Sequence, residues 1–328
     1  MMNSPVETLF NLIDHTAEIL EEELDCTYLE AIAETGENLF HEDILQPELS
    51  EVTKKRLKKQ YVELNFESYT SEDIRKGLQL AILKGMKQNI QSNHQMTPDS
   101  IGIFMSYLVG KFLVNKDKFT LLDPAVGTGN LITTILNQLP FKKVSSVGVE
   151  IDDLLLKLAY VGANLQKHPI ELFNQDSLDP LFIDPVDAVV CDLPIGYYPN
   201  DVRALDYQLC AEKGHTFAHH LFIEQSVKHT KPGGYLFFII PNGLFESEQS
   251  NKLHPFLKEH ANIQAIIQLP ESLFRNENSA KSILVLQKQE PELKAPREIL
   301  LAKLPSLSNQ TAMENMMNQM NAWFNENK

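Results

Sequence analysis

The segment LLDPAVGTGNL, Leu121–Leu131, joins an apolar run to a carboxylate and then to two closely spaced glycines. The apolar run predicts a buried strand that ends at Asp123, and Gly127 and Gly129 predict a tight turn before a helix. In an open parallel sheet, a turn of this kind lies at the carboxyl edge, where ligands bind. The segment therefore predicts an α/β fold with a ligand-binding loop after a strand.

The glycine loop departs from two common phosphate-binding patterns. A Walker loop has Lys and then Ser or Thr after its last glycine, whereas this chain has Asn130 and Leu131 there. A dinucleotide fingerprint requires a small third residue at the position that Ile132 occupies. Both departures argue against a pyrophosphate as the ligand of this loop.

Short apolar runs alternate with helical segments from residue 119 onward. Such an alternation predicts a Rossmann-like sheet of mostly parallel strands with helices on both faces. The glycine-rich KPGG segment, Lys231–Gly234, predicts a turn that separates a helix from the fifth strand. The seven predicted strands lie in FTLLDPA, VSSVGVEID, ELFNQDS, VDAVVCD, YLFFIIP, IQAIIQLP and SILVLQK.

The part of the chain before this sheet has a different pattern. From Val6 to about Gln91, apolar residues recur at spacings of three and four, which predicts helices. We therefore predict a helical N-terminal domain over residues 1–92 and a ligand-binding domain over residues 93–328. The C-terminal segment Asn309–Lys328 predicts a last amphipathic helix, whose methionines pack rather than bind a ligand.

Composition limits the partners and the compartment. The chain has 328 residues and a formal net charge of −15, which repels phosphate backbones at long range. We therefore expect nucleic acid to be disfavoured as a partner unless a local basic face or another protein helps. The basic run KKRLKK, Lys54–Lys59, predicts a solvated helix face, with nucleic-acid contact as the alternative.

The cysteines and the N-terminus indicate a cytoplasmic protein. The three cysteines are far apart and form no CxxC pair, which is typical of free thiols in a reducing compartment. The first residues lack the charged flank and apolar core of a signal peptide, and no apolar run approaches the ~20 residues that span a bilayer. No membrane partner is expected, and the sequence leaves the oligomeric state open.

Two further acidic residues follow the next strands along the chain. Glu150 ends the second strand, near the ~20-residue distance at which an acid binds ribose hydroxyls in nucleotide-binding units, and Asp176 ends the third. Each acid alone is equally well interpreted as a helix cap or a surface charge. Taken together, the two acids follow a loop that is unsuited to phosphate. This order favours a ligand made of an adenosine that carries a sulfonium and an amino acid.

The motifs, taken in order, resemble those of the class I S-adenosylmethionine-dependent methyltransferases. Within that family they are similar to the amino-methylating group that includes the modification subunits of type I restriction systems, and to stand-alone bacterial relatives. The resemblance covers about His94 to Lys288 and implies S-adenosylmethionine as the cofactor. It rests on MTPDSIGIFM, DPAVGTGNL, GVEID, NQDSL, DLPIGYYP, LFIEQSVKHTKPGGYLFFIIPNGLF and LPESLFRNENSAKSILVL.

The resemblance also implies roles for individual residues. Thr97 and Pro98 are expected near the methionine moiety, and Asp123 is expected in the cradle with Gly127 and Gly129. Glu150 is expected to hold the ribose, and Asp176 to face the adenine. The remaining expected cofactor contacts are Ala125, Thr128, Asn130, Ile151, Ser177 and Asp192.

The fourth strand ends in DLPIGYYP, where the resembled group has Asn or Asp, then Pro, Pro and an aromatic residue. Asp192 keeps the side-chain acceptor that holds the protons of an amine, Leu193 supplies a carbonyl, and Pro194 keeps the second proline. Ile195 replaces the aromatic residue that stacks on an extruded base. Tyr197 or Tyr198 is the predicted substitute, with Tyr197 taken as the catalytic candidate, and packing of both tyrosines in the loop is the alternative.

The leading hypothesis is a methyltransferase that acts on an amine, most simply adenine in nucleic acid. Asp192, Leu193, Pro194 and Tyr197 are the predicted catalytic residues. A cofactor-binding regulatory protein without base methylation and a protein amide methyltransferase are the alternatives. No metal is expected, because the spaced pair of His215 and His219 lacks both the HExxH pattern and a third ligand.

Overall fold

The computed structural model describes residues 4–88, 96–140, 142–274, 276, 279–306 and 308–327. The predicted domain boundary between residues 92 and 93 lies outside these ranges and stays a prediction. The helices are α1 Pro5–Leu24, α2 Tyr28–His41, α3 Glu51–Val62, α4 Ser71–Gln88, α5 Asp99–Phe112, α6 Asn130–Gln138, α7 Asp153–Leu165, α8 Asp201–Ala204, α9 Ala218–Lys228, α10 Ser250–His260 and α11 Gln310–Asn327. The strands are β1 Lys118–Asp123, β2 Lys143–Glu150, β3 Ile170–Asn174, β4 Val186–Asp192, β5 Thr230–Pro241, β6 Ala261–Gln268, β7 Lys281–Lys288 and β8 Leu300–Lys303.

The described strands form one sheet in the order β3-β2-β1-β4-β5-β7-β6-β8. The pairs β1–β2, β1–β4, β4–β5 and β6–β8 are parallel, whereas β7 is antiparallel to both β5 and β6. All seven predicted runs are strands, so the predicted α/β architecture is confirmed. The short strand β8 was not predicted, and it brings the number of described strands to eight.

The prediction of a turn at KPGG was wrong. These residues lie inside β5, which begins at Thr230, and the register between β4 and β5 shifts between Val186 and Ala188. Gly233 has a φ of 72°, a conformation that favours glycine. A proline and a positive-φ glycine therefore mark a bulge within a strand here, not its beginning.

Contacts between residues divide the chain into two compact units. The first comprises the described parts of residues 1–103, 126–140 and 150–174. Ser4 and Thr27 begin α1 and α2 with capping boxes, which satisfy amides that the helices leave open. The helical character predicted for the N-terminal region is confirmed. The core residues of this unit on α1, α2, α4 and α7 include Leu9, Ile13, Leu20, Ile32, Leu78, Ile82, Leu158 and Val161.

The second unit comprises the described parts of residues 104–125, 141–149 and 175–328. Its centre is β4, in which every residue from Val186 to Cys191 is buried, as expected of a strand covered on both faces. The predicted final helix is α11, whose Met320, Trp323 and Phe324 are buried. The core of the sheet in this unit includes Leu122, Val189, Cys191, Leu236, Phe238, Leu284 and Leu286.

Within the described ranges, no helix is both long and apolar enough to cross a membrane.

Candidate active site

The glycine loop between β1 and α6 requires both of its glycines. Gly129 has a φ of 77°, and a Cβ there would lie 3.2 Å from the Cβ of Ala159. Gly127 has a φ of 53°, and apart from Gly127 and its two chain neighbours, no described residue has an atom within 4 Å of the position that its Cβ would take. A positive φ is costly for residues with a Cβ, so both positions favour glycine. The open space at Gly127 is where a ligand can approach the backbone.

Glu150 at the end of β2 is fixed against this loop. The amide of Gly127 donates to Oε2 of Glu150 over 2.9 Å, and the amides of Ile151 and Asp152 donate to Oε1 over 3.0 and 3.1 Å. A carboxylate has about four lone-pair sites, so these three donors orient Glu150 and leave capacity for a further donor. The pair formed by Glu150 and Gly127 fits a group with hydroxyls, as the predicted ribose role requires.

A buried polar network holds the start of α6. The side-chain amide of Asn130 donates to the carbonyl of Thr97 over 3.0 Å, and Arg75 Nη1 donates to Asn130 Oδ1 over 2.7 Å. Arg75 is only 2% exposed, and it also forms ion pairs with Glu72 and Asp99. Thr97 and Asn130 were predicted from the sequence. Arg75 was missed, because a lone arginine on an amphipathic helix gives no sign of its distant partners.

The electrostatics of this network follow from its burial. Burial alone would raise the pKa of the Glu72 and Asp99 carboxyls, but the hydrogen bonds and charge of Arg75 outweigh it, and both pKa values are lowered. The pKa of Arg75 is raised, although burial alone would lower it. All three groups are therefore charged at neutral pH. Pro98 directly precedes α5, and its carbonyl accepts from the amides of Ile101 and Gly102 in the first turn of that helix.

In the second unit, the ends of β1 and the segment after β3 are joined by hydrogen bonds. Asp123 is buried and accepts from the amide of Ala125 over 3.1 Å. The Ser177 hydroxyl donates to the carbonyl of Pro124. Asp176 Oδ1 accepts from the amide of Leu178 over 2.9 Å, which fixes the carboxylate beside the strand end. Of the other predicted cofactor residues, Thr128 is half-buried and Ile151 is exposed.

Tyr198 is part of this arrangement. Its ring is buried, and its hydroxyl donates to Asp176 Oδ2 over 2.7 Å. Burial and the carboxylate of Asp176 both raise the pKa of Tyr198, so the phenol keeps its proton. Tyr198 therefore positions Asp176, and its ring has no exposed face for a base.

Asp192 is the last residue of β4, and its side chain pairs with Lys281 at the start of β7. The Lys281 Nζ atom lies 2.6 Å from Asp192 Oδ1, and the two side chains are 21% and 19% exposed. The amide of Leu193 donates to the carbonyl of Ile239 over 3.2 Å, which holds the DLP segment against β5. Lys281 was not predicted, because its partner lies on a strand that is distant in the sequence.

The DLPIGYY loop exposes two apolar side chains. Ile195 is 55% exposed and Tyr197 is 61% exposed, whereas Leu193 is buried. The ring of Tyr197 stacks on Phe217, with centroids 4.9 Å apart and planes at 8°. The turn is held by Gly196, whose carbonyl accepts from the amide of Ala218 over 2.9 Å. Tyr197 is thus an exposed aromatic residue that packs on Phe217 with one face, and its predicted role stays a prediction.

The two histidines considered as a metal pair have different environments. His215 is exposed and lies 2.9 Å from an Asp201 carboxylate oxygen. His219 is buried and stacks on Phe217, with centroids 5.0 Å apart. In the part of the chain that the structure describes, no three His, Cys, Asp or Glu side chains are grouped so that they could hold a metal ion.

Comparisons with known proteins identify the family and the fold of the chain. The N-6 DNA methylase family model matches residues 83–326, and the YtxK N-terminal helical domain model matches residues 7–86. The protein YtxK of Bacillus subtilis (strain 168), described as uncharacterized, is 56% identical over the full length of both chains. A Listeria monocytogenes protein described as a candidate class I S-adenosylmethionine-dependent methyltransferase has a similar structure, with a TM-score of 0.92 and 48% identity over 98% of this chain and 100% of that one.

A more distant structure shows the same fold. The type I restriction-modification methyltransferase subunit of Streptococcus thermophilus superposes with a TM-score of 0.65 and 17% identity, over 97% of this chain and 74% of that one. This likeness extends the fold to a larger methylating subunit. By the extent of the family match and by the full-length identity to YtxK, the chain belongs to the N-6 DNA methylase family, with a YtxK-type helical domain at its N-terminus.

Proposed function

We propose that the protein transfers a methyl group from S-adenosylmethionine to an exocyclic amine, the N6 amine of adenine in nucleic acid. The observation that carries the proposal is Asp192, a partly buried carboxylate at the carboxyl end of the central strand β4, followed by Leu193, whose amide is hydrogen-bonded to β5, and by Pro194. Membership of the N-6 DNA methylase family and the similar Listeria monocytogenes structure support it.

The cofactor residues fit S-adenosylmethionine by their chemistry. We propose that the Glu150 carboxylate accepts hydrogen bonds from the ribose hydroxyls and that Asp176 accepts one from the adenine amine. The open backbone at Gly127 would contact the methionine part, near Thr97 and Pro98. When bound, S-adenosylmethionine supplies an electrophilic methyl group on a sulfonium.

Asp192 and the Leu193 carbonyl would act on the acceptor. A purine amine is a poor nucleophile because its lone pair is delocalised into the ring. An oxygen of Asp192 and the Leu193 carbonyl would accept hydrogen bonds from its two N–H groups, which would reduce the conjugation of the lone pair with the ring and direct it toward the methyl group. The two acceptors would thereby hold the amine nitrogen toward the methyl group of the bound cofactor, and the proton that the amine loses on methylation would pass to solvent.

The aromatic residue at Tyr197 would hold the base. Stacking of a base on an aromatic ring contributes about 1 to 3 kcal/mol. Ile195 offers an apolar contact but no aromatic face. Tyr197 is exposed, and its ring already stacks on Phe217. We therefore propose that the ring two residues further along the loop replaces the stacking residue of the resembled motif.

The test is an assay of cofactor binding and product. Isothermal calorimetry should show binding of S-adenosylmethionine and of its demethylated product, S-adenosylhomocysteine. Incubation of DNA and RNA with methyl-labelled cofactor should give N6-methyladenine, identified by mass spectrometry after digestion. Absence of cofactor binding would contradict the proposal, and so would label found only in protein.

One observation favours a second candidate function, cofactor binding without base methylation. The exposed aliphatic Ile195 stands where an aromatic residue stacks on the base in the resembled group. A protein of this kind would bind S-adenosylmethionine in the calorimeter but transfer no label to nucleic acid or to protein. The same experiment thus separates the two functions.

A further inference from the structure

Asp192 does not stand alone at the end of β4. The ammonium of Lys281 lies 2.6 Å from its Oδ1 atom, and both side chains are mostly shielded from solvent. An ammonium has three N–H donors, of which this contact uses one. The pair therefore presents hydrogen-bond donors directly beside an acceptor, at the edge where the proposed acceptor amine is held.

The backbone holds Lys281 in this position. On β5, Ile239 is opposite Asp192 and Pro241 is opposite Lys281, so the lysine side chain extends past the end of β5 toward β4. The carbonyl of Lys281 accepts from the amide of Leu269 over 3.1 Å, and the preceding carbonyl of Ala280 accepts from the amide of Asn242 over 3.1 Å. The backbone of Lys281 is thus held in the sheet by hydrogen bonds.

The other end of β4 shows what a purely structural ion pair looks like in this chain. Asp187 forms ion pairs with Lys116 and Lys231, over 2.5 and 3.0 Å, and it also accepts from the amide and hydroxyl of Thr120. The contact of Lys281 with Asp192 lies instead at the carboxyl edge, where parallel strands present side chains to ligands.

We propose that Lys281 is a specificity residue, which donates a hydrogen bond to the ring nitrogen next to the acceptor amine, N1 of adenine. This inference rests on the proposed function. In adenine, the N6 amine and N1 are both bonded to the same ring carbon, so the base offers a donor and an acceptor side by side on one edge. Asp192 accepts a hydrogen bond from the amine while Lys281 donates one to N1. A substrate amine that has no such ring nitrogen beside it would give the Lys281 ammonium no acceptor.

The experiment removes the acceptor from the base and the donor from the protein. Two pools of random-sequence single-stranded oligonucleotides are compared, one with adenine and one with 1-deazaadenine, in which a C–H group replaces N1. Affinity is measured in the presence of S-adenosylhomocysteine, and methyl transfer in the presence of labelled S-adenosylmethionine. The variants are Lys281→Met, which removes the donor, and Lys281→Arg, which restores one. Lys288→Met, at the other end of β7, is the control for disturbance of the strand.

A hydrogen bond from a charged donor is strong enough to favour adenine over 1-deazaadenine by about tenfold to hundredfold. We expect the wild type and Lys288→Met to prefer adenine by this factor in both affinity and transfer. Lys281→Met should lose the preference, and Lys281→Arg should recover part of it. The replacement of N1 also changes the amine itself, but this effect is the same for every protein. It therefore cancels when the adenine to 1-deazaadenine ratios of the variants and the wild type are compared.

The outcomes distinguish this inference from the proposed function. Methylation of adenine with a preference that Lys281→Met leaves unchanged overturns the role of Lys281 and leaves the proposed function intact. Transfer to glutamine side chains of protein, without transfer to adenine, overturns both in favour of a carboxamide acceptor. Cofactor binding with no transfer to any acceptor also overturns both.

Discussion

Tyr197 and Tyr198 are neighbours in the sequence, yet the structure gives them opposite environments. Tyr198 is buried and its hydroxyl donates to Asp176, whereas the ring of Tyr197 is exposed and stacks on Phe217. The sequence shows two equivalent tyrosines after a glycine turn. The difference depends on Phe217 and Asp176, which lie on other segments, so only the structure separates the two roles.

Tyr197→Ala should weaken binding of a nucleic-acid acceptor and leave cofactor binding unchanged. Since loss of base stacking costs about 1 to 3 kcal/mol, we expect the KM for the acceptor to rise roughly fivefold to hundredfold. Tyr197→Phe keeps the ring and should stay close to the wild type. Steady-state kinetics with labelled cofactor measure the effect, and an unchanged KM in Tyr197→Ala would show that this ring does not hold the base.

The start of α6 is held in place by Arg75, a residue of α4. Arg75 reaches Asn130, the first residue of α6, and Asp99, the first residue of α5, and Asn130 in turn donates to the Thr97 carbonyl. The helical N-terminal region thus fixes residues that belong to the predicted cofactor site. This coupling could not be predicted, because periodicity places Arg75 on a helix but not its guanidinium.

Arg75→Met should reduce the affinity for S-adenosylhomocysteine by about tenfold or more, because Asn130 and the segment at Thr97 lose their fixed positions. It should also lower the free energy of unfolding by roughly 2 to 3 kcal/mol, since Glu72 and Asp99 keep their charges without the guanidinium. Lys76→Met on the same helix removes an exposed partner of Glu72 and is the control. Calorimetry and urea unfolding test both effects. Equal cofactor affinities for the two variants would show that Arg75 has no role at the site.

Helix α9 makes stability depend on pH. His219 and His220 are buried, and no described group pairs with His219 Nδ1 or with either ring nitrogen of His220. Burial lowers the pKa of His220 to about 4. Burial and the charge of His220 lower the pKa of His219 to about 3. Both imidazoles are therefore neutral in the folded protein at neutral pH.

Stability should fall as the pH is lowered from about 6.5 to about 4. The unfolded histidines bind protons at their ordinary pKa of about 6.5, whereas the folded ones do not, so acid favours unfolding in this window. Each buried histidine should cost about 1.4 kcal/mol per pH unit there. His220→Leu should show a shallower dependence of the unfolding free energy on pH, and the exposed His215→Gln should not. Equal slopes in all three proteins would contradict a neutral buried His220.

The whole molecule shows which parts of the fold the sequence predicts well. Short apolar runs predicted seven strands correctly, and the reason is clearest for β4, because a strand covered on both faces needs continuous apolar residues. The strand β8 was missed because its four residues, Leu300–Lys303, are too few for a pattern. The KPGG segment was assigned to a turn because glycine and proline favour both turns and bulges, and only pairing with β4 distinguishes them.

The distribution of charge is also a property of the whole chain. The net charge is −15, but α3 carries exposed basic residues, among them Lys55, Arg56 and Lys59. If nucleic acid is the acceptor, we expect α3 to contribute phosphate contacts. The double variant Lys55→Glu with Lys59→Glu should then bind oligonucleotides more weakly. The slope of the logarithm of the binding constant against the logarithm of the salt concentration should become shallower by about 0.9 for each lost phosphate contact.

A matched pair of charge reversals provides the comparison for α3. Lys294→Glu with Arg297→Glu changes the net charge equally at exposed residues of the second unit. Fluorescence titrations over a range of salt concentrations measure both double variants. The same weakening in both would mean that overall charge acts, and α3 would then have no specific contact.

In the proposed function, Asp192 orients an amine for methyl transfer from S-adenosylmethionine. The most direct measurement is transfer of labelled methyl groups to nucleic acid by the wild type and by Asp192→Ala and Asp192→Asn, with N6-methyladenine identified by mass spectrometry. We predict label in N6-methyladenine with the wild type, a loss of about 100-fold or more with Asp192→Ala, and partial activity with Asp192→Asn, which keeps an acceptor oxygen. Transfer by Asp192→Ala at the wild-type rate, or a wild type that binds the cofactor and methylates no adenine, would contradict the claim.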